Sequence, residues 1–310
     1  MRLPNLLRLH EPEPSPADRE ELARQVRRVE LTARQLMDSP ALGQYESVFR
    51  GHGIEFSEVR AYQPVDPFQS IDWKVTARMR RPFVKRFVEE RELTVLLVVD
   101  VSASNNFGSR GKLKRRLAAE VAGVLALAAM RSQDRVGLLL FTDRVERFIR
   151  PLRGRNRSLR LLYELLSHQP VGRGTDIGQA VMAARRLLSV RSLIFVLSDF
   201  EGESQLLQPF LALSARHDVV AIDIRDRAEE ALPKAGWVEV EDPETGARSV
   251  VDLADSRVRA ALERHAAEED EALKAVLRRS RVDRIRIRGG EPYIAALSAF
   301  FAARGRRRRR

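Results

Sequence analysis

A chain of 310 residues, 44% hydrophobic and 32% charged, is long enough to bury one large α/β core with an accessory segment. It contains no cysteine, which excludes disulfide scaffolds, zinc–thiolate centres, iron–sulfur clusters and cysteine nucleophiles, and points to a reducing compartment. The net charge of +12 invites a polyanionic partner, yet only six of the 55 basic residues are lysine, and the run Arg304 to Arg310 reads as a solvated basic tail.

No apolar run approaches the ~20 residues of a membrane span. Met1 to His10 leads into the acidic, proline-bearing stretch Glu11 to Pro16, without the apolar core or cleavage site of an export signal. The expected location is cytoplasmic.

Ser15, Pro16 and Asp18 form a helix start, and Leu22, Val26, Val29, Ala33 and Leu36 recur at spacings of three and four, which predicts an amphipathic helix over about 17–38. Residues 43–92, punctuated by Gly43, Gly51, Gly53, Pro64, Pro67 and Pro82, read as an accessory layer of short strands and turns. From Leu93 the pattern becomes alternating apolar strands and helices. Thr94 to Val99 is a strand, and Leu113, Leu117, Val121, Val124, Leu125 and Ala128 are the buried stripe of the helix after it. Strands follow at Arg135 to Phe141 and Val145 to Ile149, then a helix around Leu159 to Leu166, a glycine-rich turn at 172–174 and a helix to Leu188. Ser192 to Leu197 is a strand, Leu206 to Arg216 a helix and Val219 to Ile224 a strand. A hairpin of Trp237 to Val240 with Ser249 to Leu253 precedes a helix over Ser256 to Arg279, a basic strand Val282 to Ile287 and a final helix Ile294 to Ala302.

Strands alternating with helices imply an α/β, doubly wound, mostly parallel sheet with an N-terminal accessory segment. The expected organisation is a flexible N-terminus at 1–16, an accessory segment at 17–92, the α/β domain at 93–303 with a hairpin insertion near 236–254, and the basic tail at 304–310.

Ligands of open α/β sheets gather beyond the carboxyl ends of the strands. There the sequence places Asp100, Ser102 and Ser104 after the first strand, Thr175 in the glycine-rich turn, and Asp199 after Ser198 at the end of the fourth long strand. Two serines, one threonine and two carboxylates are hard oxygen donors suited to Mg²⁺, with Mn²⁺ or Ca²⁺ as substitutes. A set rich in neutral hydroxyls under-neutralises such an ion, so an outside carboxylate can complete its shell. The same residues also suit a plainer role, the hydroxyls as helix caps and Asp199 as a partner of loop amides.

Asp100, Ser102 and Ser104, then Thr175, then Asp199, resemble the metal-ion-dependent adhesion site of von Willebrand factor A-type domains. Further motifs, Gly51-His52-Gly53-Ile54-Glu55-Phe56, Val59-Arg60-Ala61-Tyr62-Gln63-Pro64, Ile71-Asp72-Trp73-Lys74, Ala77-Arg78 and Glu89-Glu90-Arg91-Glu92, resemble the bacterial family called domain of unknown function fifty-eight (DUF58). Its signature segment precedes a von Willebrand factor A-like domain, and the likeness covers about 43–224. Val65 and Pro67 stand where that family usually has Gly and Asp, and Asn105 where methionine is common. The resemblance implies a non-enzymatic adaptor in which Asp100, Ser102, Ser104, Thr175 and Asp199 hold the ion, a partner's carboxylate completes its shell, and a MoxR-type AAA ATPase is the partner in assembly or maturation.

Two other readings stand beside it. A basic nucleic-acid-associated module would use Arg304 to Arg310 with Arg110, Arg115, Arg116, Arg284, Arg286 and Arg288. A phosphoryl-transfer enzyme would use Asp100 as acceptor, although Ser102 stands where a dehalogenase-like site wants a second aspartate. Gly111-Lys112 is followed by Leu113 and does not make a P-loop, Gly172, Gly174 and Gly178 do not make a dinucleotide fingerprint, and the five histidines show no paired metal spacing.

Overall fold

The computed structural model describes residues 54–64, 66–89, 93–108, 113–201, 205–226, 229 and 235–308, together with positions 20, 24, 26–29 and 31. Those last positions are helical, in keeping with the helix expected over 17–38; the other positions of that expectation, and residues 1–16 expected as a flexible N-terminus, lie outside the described residues. Val29 is 1% exposed and packs on the main core. A glycine makes the approach possible, because a Cβ on Gly123 would stand 2.6 Å from Val29 Cγ1 and 2.8 Å from Leu162 Cδ2.

The accessory layer is an antiparallel pair, β1 (Ile54–Ala61) with β2 (Phe83–Glu89), and between them a helix that the composition did not announce, α1 (Trp73–Met79). Asp72 starts this helix by accepting hydrogen bonds from the amides of Lys74 and Val75. Arg80, at φ 53°, ends it in the left-handed conformation.

The α/β part holds a six-stranded sheet in the order β10-β7-β6-β3-β4-β5. Its strands are β3 (Thr94–Asp100), β4 (Arg135–Phe141), β5 (Val145–Leu152), β6 (Leu193–Ser198), β7 (Asp218–Arg225) and β10 (Asp283–Arg288). All neighbours run parallel except β5, which returns antiparallel along β4. The central strands read Thr-Val-Leu-Leu-Val-Val-Asp and Leu-Ile-Phe-Val-Leu-Ser, apolar on both faces because helices cover both.

One face packs on α2 (Lys114–Arg131), α3 (Arg155–Ser167) and α7 (Tyr293–Arg308). The other packs on α4 (Ile177–Leu187), α5 (Leu207–Ser214) and α6 (Ser256–Arg279). Leu113 is not part of the buried stripe of α2: it is the residue before the helix and is 46% exposed. The hairpin β8 (Trp237–Glu241) with β9 (Arg248–Asp252) forms a separate two-stranded sheet.

Helix α7 runs past 303 to Arg308, into the segment expected as a solvated tail. Tertiary ion pairs hold it there: Arg304 reaches Asp218 at 2.5 Å and Asp283 at 2.9 Å. A second network joins β7, β10 and α6, where the wholly buried Asp223 accepts from Arg225 Nε (2.9 Å), Arg284 Nη2 (2.5 Å) and Arg286 Nε (3.0 Å). The two arginines of β10 also meet Asp270 of α6. Among the described residues no helix is long and apolar enough to cross a membrane.

Candidate functional site

From β3 the chain winds to β4 and β5 on one side, then returns to lay β6, β7 and β10 on the other. The carboxyl ends of β3 and β6 therefore flank the point where the winding reverses, the place where such sheets open a crevice. Asp100 and Asp199 stand at those two ends, each 1% exposed.

Asp100 is held from both sides. One oxygen accepts the amide of Ser102 at 2.9 Å and the other accepts the hydroxyl of Ser198 at 2.6 Å. Burial, reinforced by the nearby Asp199 carboxylate, outweighs these hydrogen bonds and pushes the Asp100 pKa up to about 7. Phe200, buried and in the left-handed region at φ 55°, follows Asp199 directly, and its amide donates to Ser198 Oγ at 3.2 Å. A bulky residue in that conformation is strained, and here it turns the chain sharply at the site.

The hydroxyls of Ser102 and Ser104 are hydrogen-bonded to each other at 3.0 Å. Neighbouring ligands of an octahedral magnesium shell, each about 2.1 Å from the ion, are separated by about 3.0 Å, so the pair has the spacing of two adjacent ligands. Asn105, wholly buried beside them, directs its amide at Ser102 Oγ (3.4 Å), and its Oδ1 has no hydrogen-bond partner among the described residues. Buried carboxylates, paired hydroxyls and an orphan buried acceptor fit a hard cation. Among the described residues no group of three or more His, Cys, Asp and Glu is placed to hold a metal, so any ion here would rest on hydroxyls as well as acids.

The third loop is tied through the backbone to the loop after β3 and to the end of β4. The amide of Ala103 donates to Arg173 O and that of Asp176 to Thr142 O, each at 3.0 Å. Glu146 clamps the same turn, one oxygen accepting from the amides of Gly172 (2.8 Å) and Val171 (3.2 Å) and from Thr142 Oγ1 (2.8 Å). Burial alone would raise the Glu146 pKa, but these hydrogen bonds prevail and lower it. Gly172 is required, because a Cβ there would overlap Thr142 Oγ1 and Asp143 Oδ1. Asp176 caps α4 through the amide of Gln179, so Thr175 is not the cap and its hydroxyl is left for another partner. That partner is Glu244, from the tip of the β8–β9 hairpin, at 2.5 Å.

Sequence reasoning missed three charged members of the site. Lys114, 3% exposed at the start of α2, donates to Asp199 Oδ2 at 2.8 Å and to Glu229 Oε1 at 2.6 Å. Burial alone would lower its pKa; Asp199, Glu229 and Glu201 outweigh that and raise it, so the side chain stays an ammonium. One signal was available: Lys114 lies three and seven residues before Leu117 and Val121, in phase with the buried stripe, where a charge needs a buried partner. Glu229 and Glu244 gave no such signal. Ser104, Lys114, Asp199 and Glu229 share with the hairpin tip a cleft of about 490 Å³.

Known proteins resemble this chain over much of its length. Residues 58–272 match the family described as Protein of unknown function DUF58. Uncharacterized protein Mb1516 of Mycobacterium bovis and Uncharacterized protein Rv1480 of Mycobacterium tuberculosis are each 34% identical over 231 residues, spanning 74% of this chain and 73% of theirs. Among solved structures, conserved hypothetical protein BatB from Bacteroides thetaiotaomicron aligns with a TM-score of 0.44 at 16% identity, covering 69% of this chain and 99% of that one. The PilB minor pilin from Streptococcus sanguinis aligns with a TM-score of 0.35 at 9% identity, covering 73% and 64%. With most of the α/β region inside the matched span and two relatives alike over nearly three quarters of the chain, the protein belongs to the DUF58 family.

Proposed function

We propose that the chain is a non-enzymatic, metal-dependent protein-binding adaptor with a von Willebrand factor A-like α/β domain. The observation that carries the reading is the pair of serine hydroxyls 3.0 Å apart beside two buried strand-end carboxylates. Ser102 and Ser104 would ligate Mg²⁺, Thr175 would join them from the third loop, and Asp100 and Asp199 would hold the shell directly or through water. Bound there, the ion offers an open position to an incoming carboxylate oxygen. Asp100 orients the Ser102 loop through its amide, Ser198 orients Asp100, and Glu146 holds the turn that carries Thr175. The partner is a protein carboxylate, and by resemblance its bearer is a MoxR-type AAA ATPase or a client handled with it.

The two other readings draw less support from the geometry. Arg284, Arg286 and Arg304 are engaged by Asp223, Asp270, Asp218 and Asp283 inside the fold, which removes them from a surface for polyphosphate. Asp100 is buried with both oxygens hydrogen-bonded, a poor arrangement for nucleophilic attack on phosphorus.

Calorimetry and thermal unfolding with Mg²⁺ and Mn²⁺ test the proposal. Wild type should bind and be stabilised, Asp100→Ala and Thr175→Ala should lose both effects, and retention of the ATPase on immobilised protein should require the ion. Unchanged metal response in both variants would overturn the mechanism.

A further inference from the structure

The tip of the β8–β9 hairpin is internally built to present Glu244. Asp242 Oδ1 accepts the amides of Glu244 (2.9 Å) and Thr245 (3.4 Å), Oδ2 accepts the Thr245 hydroxyl (2.6 Å), and the amide of Gly246 closes the turn on Asp242 O (2.7 Å). Gly246 sits at φ +72°, a conformation that favours glycine. From this turn Glu244 reaches over the glycine-rich loop to the hydroxyl of Thr175.

The strands behind the tip are poorly anchored. Trp237 is 75% exposed and Val250 62%, so little apolar burial holds the hairpin against the domain. A segment fastened by its tip more than by a core opens at low cost. The cleft it covers is acidic: Asp199, Glu201 and Glu229 line it beside Lys114, and the hairpin itself brings Glu241, Asp242 and Glu244. Glu244 thus shares one cleft with Asp199 and Glu229, and like charges gathered there favour a further cation.

We infer that the hairpin is a built-in occupant of the site: Glu244 takes the place of a partner's carboxylate, and a partner binds by displacing it. This rests on the metal-dependent reading above. It makes the protein self-capped, couples hairpin docking to the divalent cation, and gives the displacing partner a definite chemistry, an acidic side chain on a protruding turn like the Asp242-Pro243-Glu244 turn it replaces.

The test uses full-length protein, Mn²⁺ as the probe ion and acetate as the free carboxylate. Mn²⁺ affinity and the number of waters on the bound ion are measured by water-proton relaxation for wild type, Glu244→Gln and Glu244→Ala, with Glu239→Gln on the hairpin strand as control. The Glu244 variants should bind Mn²⁺ ~10-fold more weakly, since each charged ligand tunes such sites strongly. They should gain one water on the ion, and acetate should remove that water in Glu244→Ala while leaving wild type unaffected. Glu239→Gln should behave as wild type. Equal affinity, hydration and acetate response in wild type and Glu244 variants overturns the cap and leaves the metal site standing. Failure of wild type to bind Mn²⁺ overturns the metal reading itself, and the cap with it.

Discussion

The Lys114 ammonium lies 2.8 Å from Asp199 Oδ2, so the first turn of α2 delivers a cation to the same carboxylate that the proposed ion would use. The two cations compete for one acid. Lys114→Met should cost ~3–5 kcal/mol of stability in metal-free buffer, because it leaves Asp199 buried without its partner. It should also enlarge the stabilisation that Mg²⁺ confers. Chemical denaturation with and without the ion measures both, and a variant destabilised equally in the two conditions would separate Lys114 from the site.

Asp100 predicts a pH dependence. Its folded pKa of about 7 lies above the ordinary carboxylate value near 3.8, so the fold favours the protonated form. That contribution is fully present below the unfolded value and is lost as pH rises toward 7, beyond which the ionised group costs its full penalty. In chelator, Asp100→Asn should therefore match wild type near pH 4 and exceed it in stability at pH 8. Melting curves across that range check the crossover, and a constant difference at all pH values would contradict it.

Gly172 supports the turn that carries Thr175. Gly172→Ala forces a methyl group onto Thr142, which is wholly buried, and should cost on the order of 1–3 kcal/mol. It should weaken Mg²⁺ binding by displacing the turn, while Gly174→Ala, whose Cβ would meet Asp143 Cβ at an ordinary 3.7 Å, should do neither. Paired denaturation and calorimetry on the two variants decide the point.

The Asp223 network is a structural unit that borders the site, since Asp223 lies in register with Ser198 and Arg225 also reaches Glu201 at 2.7 Å. Asp223→Ala leaves Arg225, Arg284 and Arg286 facing an emptied buried position and should destabilise by ~3–5 kcal/mol. The residual folded protein should bind Mg²⁺ more weakly than wild type, because Ser198 and Glu201 lose a fixed neighbour, and calorimetry at low temperature measures the loss.

Where local pattern decided the outcome, the sequence was readable to the residue. Arg135–Phe141 and Ser256–Arg279 have the bounds that their apolar runs and flanking residues suggest, the latter because Asp255 caps its first turn. The strand-end donors were readable because strand periodicity stops abruptly at Asp100 and Ser198. Helix α1 was obscured by its brevity, seven residues with two basic ones and no apolar stripe, and Asp72 is its main signal. The last turns of α7 depend on Arg304 meeting Asp218, 86 positions earlier, and no local pattern records that. The same holds for Lys114, whose partners Asp199 and Glu229 stand 85 and 115 positions away, and for Glu244, 69 positions from Thr175. Hydrophobic period reports which face a side chain takes; it carries no information about which distant charge will be waiting there.

The notch at Gly123 has a practical consequence for expression. Val29 fills it from outside the span 58–272 shared with the family, and β10 with α7 lies beyond the other end of that span. A fragment trimmed to the shared span would leave β7 as a raw sheet margin and strip the cover from Val220, Ile222 and Gly123 at once. Soluble material is to be sought from the whole polypeptide, with tags placed beyond both ends.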